Sequence, residues 1–158
     1  MIQRIQSLYL LVATILMSLT LFKPIAIFGV VGQGNEPFIY TLSAFTLSCG
    51  EASQSTIWMG ILLLLATVLP LVIIFLFKRR TLQVRLCAVE LVLLLGSLVM
   101  MGLYYWLTSR IFNGEVQIDH RQLCWAAPMP LVSLVLTYLA SRAIFKDEVL
   151  VRSLDRIR

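Results

Sequence analysis

The chain has 158 residues, 59% of them hydrophobic and 13% charged, and a net charge of +5. Soluble domains carry roughly 45 to 50% apolar and about 25% charged residues, so a water-soluble core built from one domain's length could not hide this apolar excess. The basic residues flank apolar runs and do not spread over a polar face, which argues against nucleic acid and points to the anionic inner surface of a lipid bilayer as partner.

The first apolar run, Ile5 to Phe22, covers 18 residues and is interrupted by Lys23 and Pro24. It reads as a spanning helix that Pro24 ends, with the Lys23 ammonium extending into the headgroups. A secretory signal peptide after a lone Arg4 is the alternative. No small-x-small cleavage site closes the segment, so a retained helix is expected.

Next comes "FGVVGQGNEPFIYTLSAFTLSCGEASQST". Ile27 to Val31 is β-branched and aromatic, "GQGNEP" gathers turn formers, and "FIYTLSAFTLS" alternates apolar with small polar residues, which is a hairpin pattern. Val116 and Ile118 in "GEVQIDHRQL" predict a third short strand, because two strands alone are marginal in water.

Ile57 to Phe77, Leu86 to Leu107 and Trp125 to Phe145 are 21, 22 and 21 residues long, against the roughly 20 that a spanning helix needs. Pro70 removes a backbone donor from the second helix and bends it. The turn "KRRTLQVR" places Lys78, Arg79, Arg80 and Arg85 between two spans. With both termini inside, ten basic residues fall on the cytoplasmic side and three outside, the bias that orients membrane proteins. A nuclear-type basic patch would need a soluble context that the flanking runs exclude.

The expected fold is an all-α membrane protein, a single four-span transmembrane domain over residues 1–158. Its helices lie at about 5–22, 57–77, 86–107 and 125–145, and a small antiparallel β cap forms from the outer loops 23–56 and 108–124. Loop 78–85 and tail 146–158 are cytoplasmic. The tail "FKDEVLVRSLDRIR" sets Leu150, Leu154 and Ile157 on one face, as in an amphipathic helix at the membrane surface or on a partner.

Few residues suggest chemistry. Glu90 is the one acidic residue inside a span, with Arg142 at similar depth as its expected ion-pair partner and Arg4 as the other candidate; it serves as an interhelical tether or as a proton or cation site. Ser133, Thr137 and Ser141, and Thr14 and Ser18, recur at spacings of four that let helices approach closely. Cys49 and Cys124 both fall on the outer side, where a disulfide would persist or each thiol would pack as a small apolar group. Cys87 reaches neither. His120 is the only histidine, and beside Glu115 and Asp119 it makes no metal or haem site. No phosphate cradle or nucleophile motif appears, so neither a cofactor nor catalysis is expected.

The opening "MIQRIQSLYLL", the turn "KRRTLQVRLC" and the ending "RAIFKDEVLVRSLDRIR" resemble an uncharacterised family of four-span inner-membrane proteins of the Bacteroidetes, a domain of unknown function. The resemblance covers both termini and the middle, and implies a bacterial cytoplasmic membrane with a periplasmic cap. It brings no catalytic residues. The function expected is a non-enzymatic structural or accessory subunit that binds envelope partners. The alternative is a small transporter or channel using Glu90, which needs a homo-oligomer because four helices rarely enclose a pathway.

Overall fold

The computed structural model describes residues 2–31, 37–49, 52–76, 80–115 and 117–155. In chain order they form α1 (Ile2–Phe22), β1 (Ala26–Val31), β2 (Pro37–Leu42), β3 (Thr46–Cys49), β4 (Ala52–Ser55), α2 (Ile57–Phe75), α3 (Arg80–Glu115), β5 (Gln117–Leu123) and α4 (Met129–Asp155). α1 packs on α2 and α4, and α3 packs on the same two, so the helices close a ring in chain order.

Buried residues follow alternating steps of three and four. The seam of α1 holds Gln6, Leu10, Ala13, Met17 and Thr20, with Thr14 buried beside it; that of α2, Met59, Leu63, Ala66, Pro70 and Ile73, beside Gly60; that of α3, Gln83, Cys87, Glu90, Leu94, Ser97 and Met101, with Thr108 and Ser109 buried farther on. α4 continues the pattern with Ser133, Thr137, Ala140 and Ile144. A seven-residue repeat keeps one seam of each helix against its neighbours and winds the set with a left hand.

What occupies these seams inverts the soluble rule. Gln6, Thr14, Thr20, Gln83, Glu90, Ser97, Ser133 and Thr137 are buried, while Leu8, Leu11, Ile15, Leu64, Val68, Val92, Leu95, Val99 and Val135 are exposed. A soluble monomer seldom exposes a contiguous apolar patch beyond a few hundred Å². α2, the Leu82–Arg110 part of α3 and the Met129–Asp147 part of α4 are each long and apolar enough to cross a membrane; the apolar part of α1, Gln6–Phe22, is shorter.

The expectation of an all-α four-span bundle is therefore corrected twice. Among the described residues three helices, not four, meet the length and composition of a span. The strands form one five-stranded antiparallel sheet, in the order β4-β3-β2-β1-β5, and not a small accessory cap.

Two local causes enlarge the sheet. The stretch read as one alternating strand folds back at Ser43–Thr46. The Ser43 N–H and hydroxyl donate to the Thr46 carbonyl at 2.9 and 2.7 Å, and the Thr46 N–H donates back to Ser43 Oγ at 3.3 Å. A serine hydroxyl satisfying its own turn is what splits β2 from β3. The second cause is β5, which joins the free side of β1. Gly29 faces His120 and Val30 faces Ile118, so Asp119 is an extra residue, a β-bulge.

Along β1 every second side chain is buried, namely Ala26, Phe28 and Val30, as a strand with one covered face requires. This face joins Met17, Met59, Leu63 and Met101 of the helices in one core. The Phe28 ring lies 5.3 Å from that of Tyr105 on α3, tilted by 35°. At α2, Gly60 leaves room for the Phe45 ring, and the Ala44 carbonyl oxygen is 3.0 Å from where a Cβ would sit. The sheet thus rests directly on the helix ends.

α3 is longer than the 22 residues read from the sequence. Its 36 residues span about 54 Å, and the last turns rise beside the sheet, where Arg121 of β5 donates to Ser109 Oγ at 3.1 Å. α4 starts later than expected, because residues 125–128 form turns, with the Ala127 N–H bonded to the Cys124 carbonyl at 3.0 Å. It then runs without a break to Asp155, so the tail helix continues α4. The side chains of Leu150 and Leu154, and Ile157 altogether, lie outside the described residues.

Candidate functional site

The helix interior holds two apolar clusters. One, toward the sheet, contains Met17, Leu63, Ala66, Leu94 and Met101. The other, at the far ends, contains Leu10, Ile73, Cys87, Ala140 and Ile144. Glu90 falls between Cys87 and Leu94 on α3, Thr137 between Leu134 and Ala140 on α4, and Pro70 between Ala66 and Ile73 on α2. A polar layer therefore separates the two clusters.

Glu90 is fully buried, at 0% exposure. Neither of its carboxylate oxygens has a hydrogen-bond partner among the described residues, and the same is true of Thr137 Oγ1. Thr137 is unusual in this. Thr14, Ser18, Thr20 and Thr67 each return the hydroxyl to the carbonyl four residues back, at 2.7 to 3.0 Å. Pro70, on the same buried face, has no N–H to give the Ala66 carbonyl four residues earlier. Three oxygens that can each accept thus occur at one level of the interior.

The expected ion pair of Glu90 with Arg142 does not form as a hydrogen-bonded contact. Arg142 is exposed. It stands two residues from both Ala140 and Ile144, the buried positions of α4, and at about 100° per residue that turns its side chain to the opposite face. The side chain of Arg4 lies outside the described residues.

The candidate disulfide is also corrected, as Cys49 and Cys124 are free thiols. Cys49 ends β3 and Cys124 follows β5, with β2 and β1 between them. Three strand spacings of about 4.8 Å set them roughly 14 Å apart, and a bridge needs Cα atoms within about 7 Å. Cys49 lies beside Tyr40, and burial together with that thiol pushes the Tyr40 phenol above its ordinary range.

Of the basic turn, Arg85 is exposed, whereas Lys78 and Arg79 and the side chain of Arg80 lie outside the described residues. His120 is exposed on β5; Val116 and the side chains of Glu115 and Asp119 lie outside the described residues. Among the described residues no three His, Cys, Asp or Glu gather as metal ligands.

Small polar residues tie α1 to the chain around α4. Ser133 Oγ donates to the Ala13 carbonyl at 3.4 Å and Thr20 Oγ1 to the Ala126 carbonyl at 3.5 Å, the close approach expected of such residues. The spacing of four read from the sequence holds for Ser133 and Thr137 and then drifts. Ser141 is only half-buried, and bonds the Tyr138 carbonyl at 2.8 Å. What the sequence reading missed is that Glu90, Thr137 and Pro70 share the level between the two apolar clusters. The alternating spacing of Gln83, Cys87, Glu90, Leu94 and Ser97 was the available signal.

All three tryptophans sit at the sheet end of the helices. Trp58 opens α2 and is 71% exposed, Trp125 precedes α4 and is 90% exposed, and Trp106 lies on α3 under the Arg110 guanidinium, 4.7 Å from the ring centre. An apolar groove of about 520 Å³ runs beside Trp125, between Leu98 of α3 and Leu131 of α4.

A known sequence family matches almost the whole of this chain. The chain belongs to the DUF4293 family. That family is described as a domain of unknown function, and its model matches residues 2–157. No curated protein matches the chain.

Proposed function

We propose that this DUF4293 protein is an integral protein of a bacterial cytoplasmic membrane, a non-enzymatic structural or accessory subunit that presents its sheet on the outer side to envelope partners. The observation that carries the membrane placement is the inverted polarity of the helices, polar at the seams and apolar outside. Between lipid tails, packing of small residues and interhelical hydrogen bonds replace the hydrophobic drive.

The dimensions support the same reading. Arg85 and Trp106 are 21 residues apart on α3, about 32 Å along the axis, close to the roughly 30 Å hydrocarbon thickness. Exposed tryptophans favour the headgroup level, which sets the sheet above the outer interface. The Arg85 end of α3 and the far end of α4 then fall on the cytoplasmic side, in keeping with the positive-inside rule.

An open sheet suits a partner-binding role. β4 and β5 are its two edges, and edge strands carry unpaired backbone groups that accept another strand. The exposed residues of β4, Ser53, Gln54 and Ser55, are small and polar, so recognition there runs through the main chain.

A photo-crosslinking residue at Gln54 in native membranes tests this role. Adducts with other envelope proteins are expected, and a chain that crosslinks to nothing would remove it. The second reading, an oligomeric transporter or channel, is favoured by the unpartnered Glu90 and would show instead as a ladder of the chain with itself.

A further inference from the structure

We infer that Glu90, the Thr137 hydroxyl and the Ala66 carbonyl form a binding site for a monovalent cation in the helix interior. An ionised carboxylate away from water is costly by several kcal/mol unless a counter-charge meets it, and among the described residues no cationic side chain supplies one: Arg142 and Arg85 face outward, and both Glu90 oxygens are unpartnered.

Two groups at the level of Glu90 offer lone pairs. Thr137 leaves its hydroxyl oxygen unused where Thr14, Ser18, Thr20 and Thr67 spend theirs on their own helix. Pro70 frees the Ala66 carbonyl by removing its intrahelical donor. A carboxylate, a hydroxyl and a released carbonyl are oxygen ligands of the kind that suit a hard cation, and helix breaks that free carbonyls serve this purpose in membrane proteins. One carboxylate balances one positive charge, which selects a monovalent ion over a divalent one.

Other titratable groups do not compete for the place. Among the described residues Glu90 is the only Asp, Glu, Lys, Arg or His buried on the seams. Cys87 lies one turn below it on α3, and Tyr9 of α1 packs on the far-end cluster; α2 and α4 bring no ionisable side chain to the two clusters. The proton is therefore the competitor at the same carboxyl. The site depends on helix packing alone, so a failure to find envelope partners would leave it standing.

The test uses the full chain in lipid nanodiscs and a hydrophobic carbodiimide, which modifies protonated buried carboxyls, with the Glu90 peptide followed by mass spectrometry. Sodium chloride is expected to slow the labelling by about tenfold at ten times its dissociation constant. Thr137→Val should lose that protection, and Thr137→Ser should keep it. Pro70→Ala, which returns an N–H to the Ala66 carbonyl and suits the helix better, should weaken protection without unfolding the chain. Folding is checked by maleimide, which should reach Cys49 and Cys124 but not Cys87. Labelling that sodium, potassium and lithium all leave unchanged would show a proton site only and overturn the inference. So would a Glu90 that stays unlabelled in acid while the denatured chain reacts.

Discussion

The ring of helices and the sheet obey opposite polarity rules within one chain. In the sheet the covered face carries Ala26, Phe28 and Val30, while Ser53, Gln54 and Ser55 at the edge meet water. In the helices Thr14, Glu90, Ser97 and Thr137 are inside, and Leu11, Val92, Leu95 and Val135 are outside. Burial alone does not decide which residue is stable where. What lies on the other side of the surface does, and on the proposed membrane placement the change of rule along α3, near Trp106, marks where lipid gives way to water.

The sharpest way to break this comparison is to remove the apolar contact that joins the two regions. Phe28→Ala deletes a fully buried ring packed on Tyr105 and should cost about 3 to 5 kcal/mol, seen as a large loss of thermal stability in detergent while membrane insertion persists. Next comes a charge on the outside of each region. Val92→Arg, at a helix position 72% exposed, should cost about 2.5 to 3.5 kcal/mol in the bilayer. Gln54→Arg on β4 should stay within about 0.5 kcal/mol. The yield of inserted protein reads both, and equal effects would erase the distinction.

Smaller effects sharpen it. Gly60→Ala forces the Phe45 ring aside and crowds the Ala44 carbonyl, an overpacking cost of about 1 to 3 kcal/mol that denaturant titration would measure. At Tyr40 the raised phenol pKa means the folded state holds that proton more tightly than the unfolded one. Its contribution to stability is complete below the unfolded value of about 10, and it is lost as the pH climbs through the higher folded value. Cys49→Ala should bring the Tyr40 titration only part of the way back, because burial is the larger cause. The ultraviolet difference between the chain and Tyr40→Phe reports it.

The sequence made the apolar lengths of α2, α3 and α4 legible because hydrocarbon thickness fixes a length, whereas Arg80 to Arg85, read as part of a turn, are the first residues of α3. The far reach of α3 was hidden. Arg110, Asn113 and Gly114 look like a helix end, yet Tyr105 and Ser109 are held by contacts to Phe28 and Arg121 that no local pattern encodes. β5 was half visible, since "QIDHRQL" lacks a regular apolar alternation and owes its place to pairing with β1. At the site, Glu90 stood out as a lone acid in an apolar run. Its surroundings did not, because depth alone matched it with Arg142, whereas helical phase sends Arg142 outward and brings Thr137 in.

The polarity inversion itself can be read directly with nitroxide labels at Val92, Val135 and Gln54, placed singly in a background without the native cysteines and reconstituted in bilayers. Val92 and Val135 should collide freely with dissolved oxygen and hardly at all with a water-soluble nickel complex, and Gln54 should show the reverse. A nickel complex that reaches Val92 as readily as Gln54 would contradict the account.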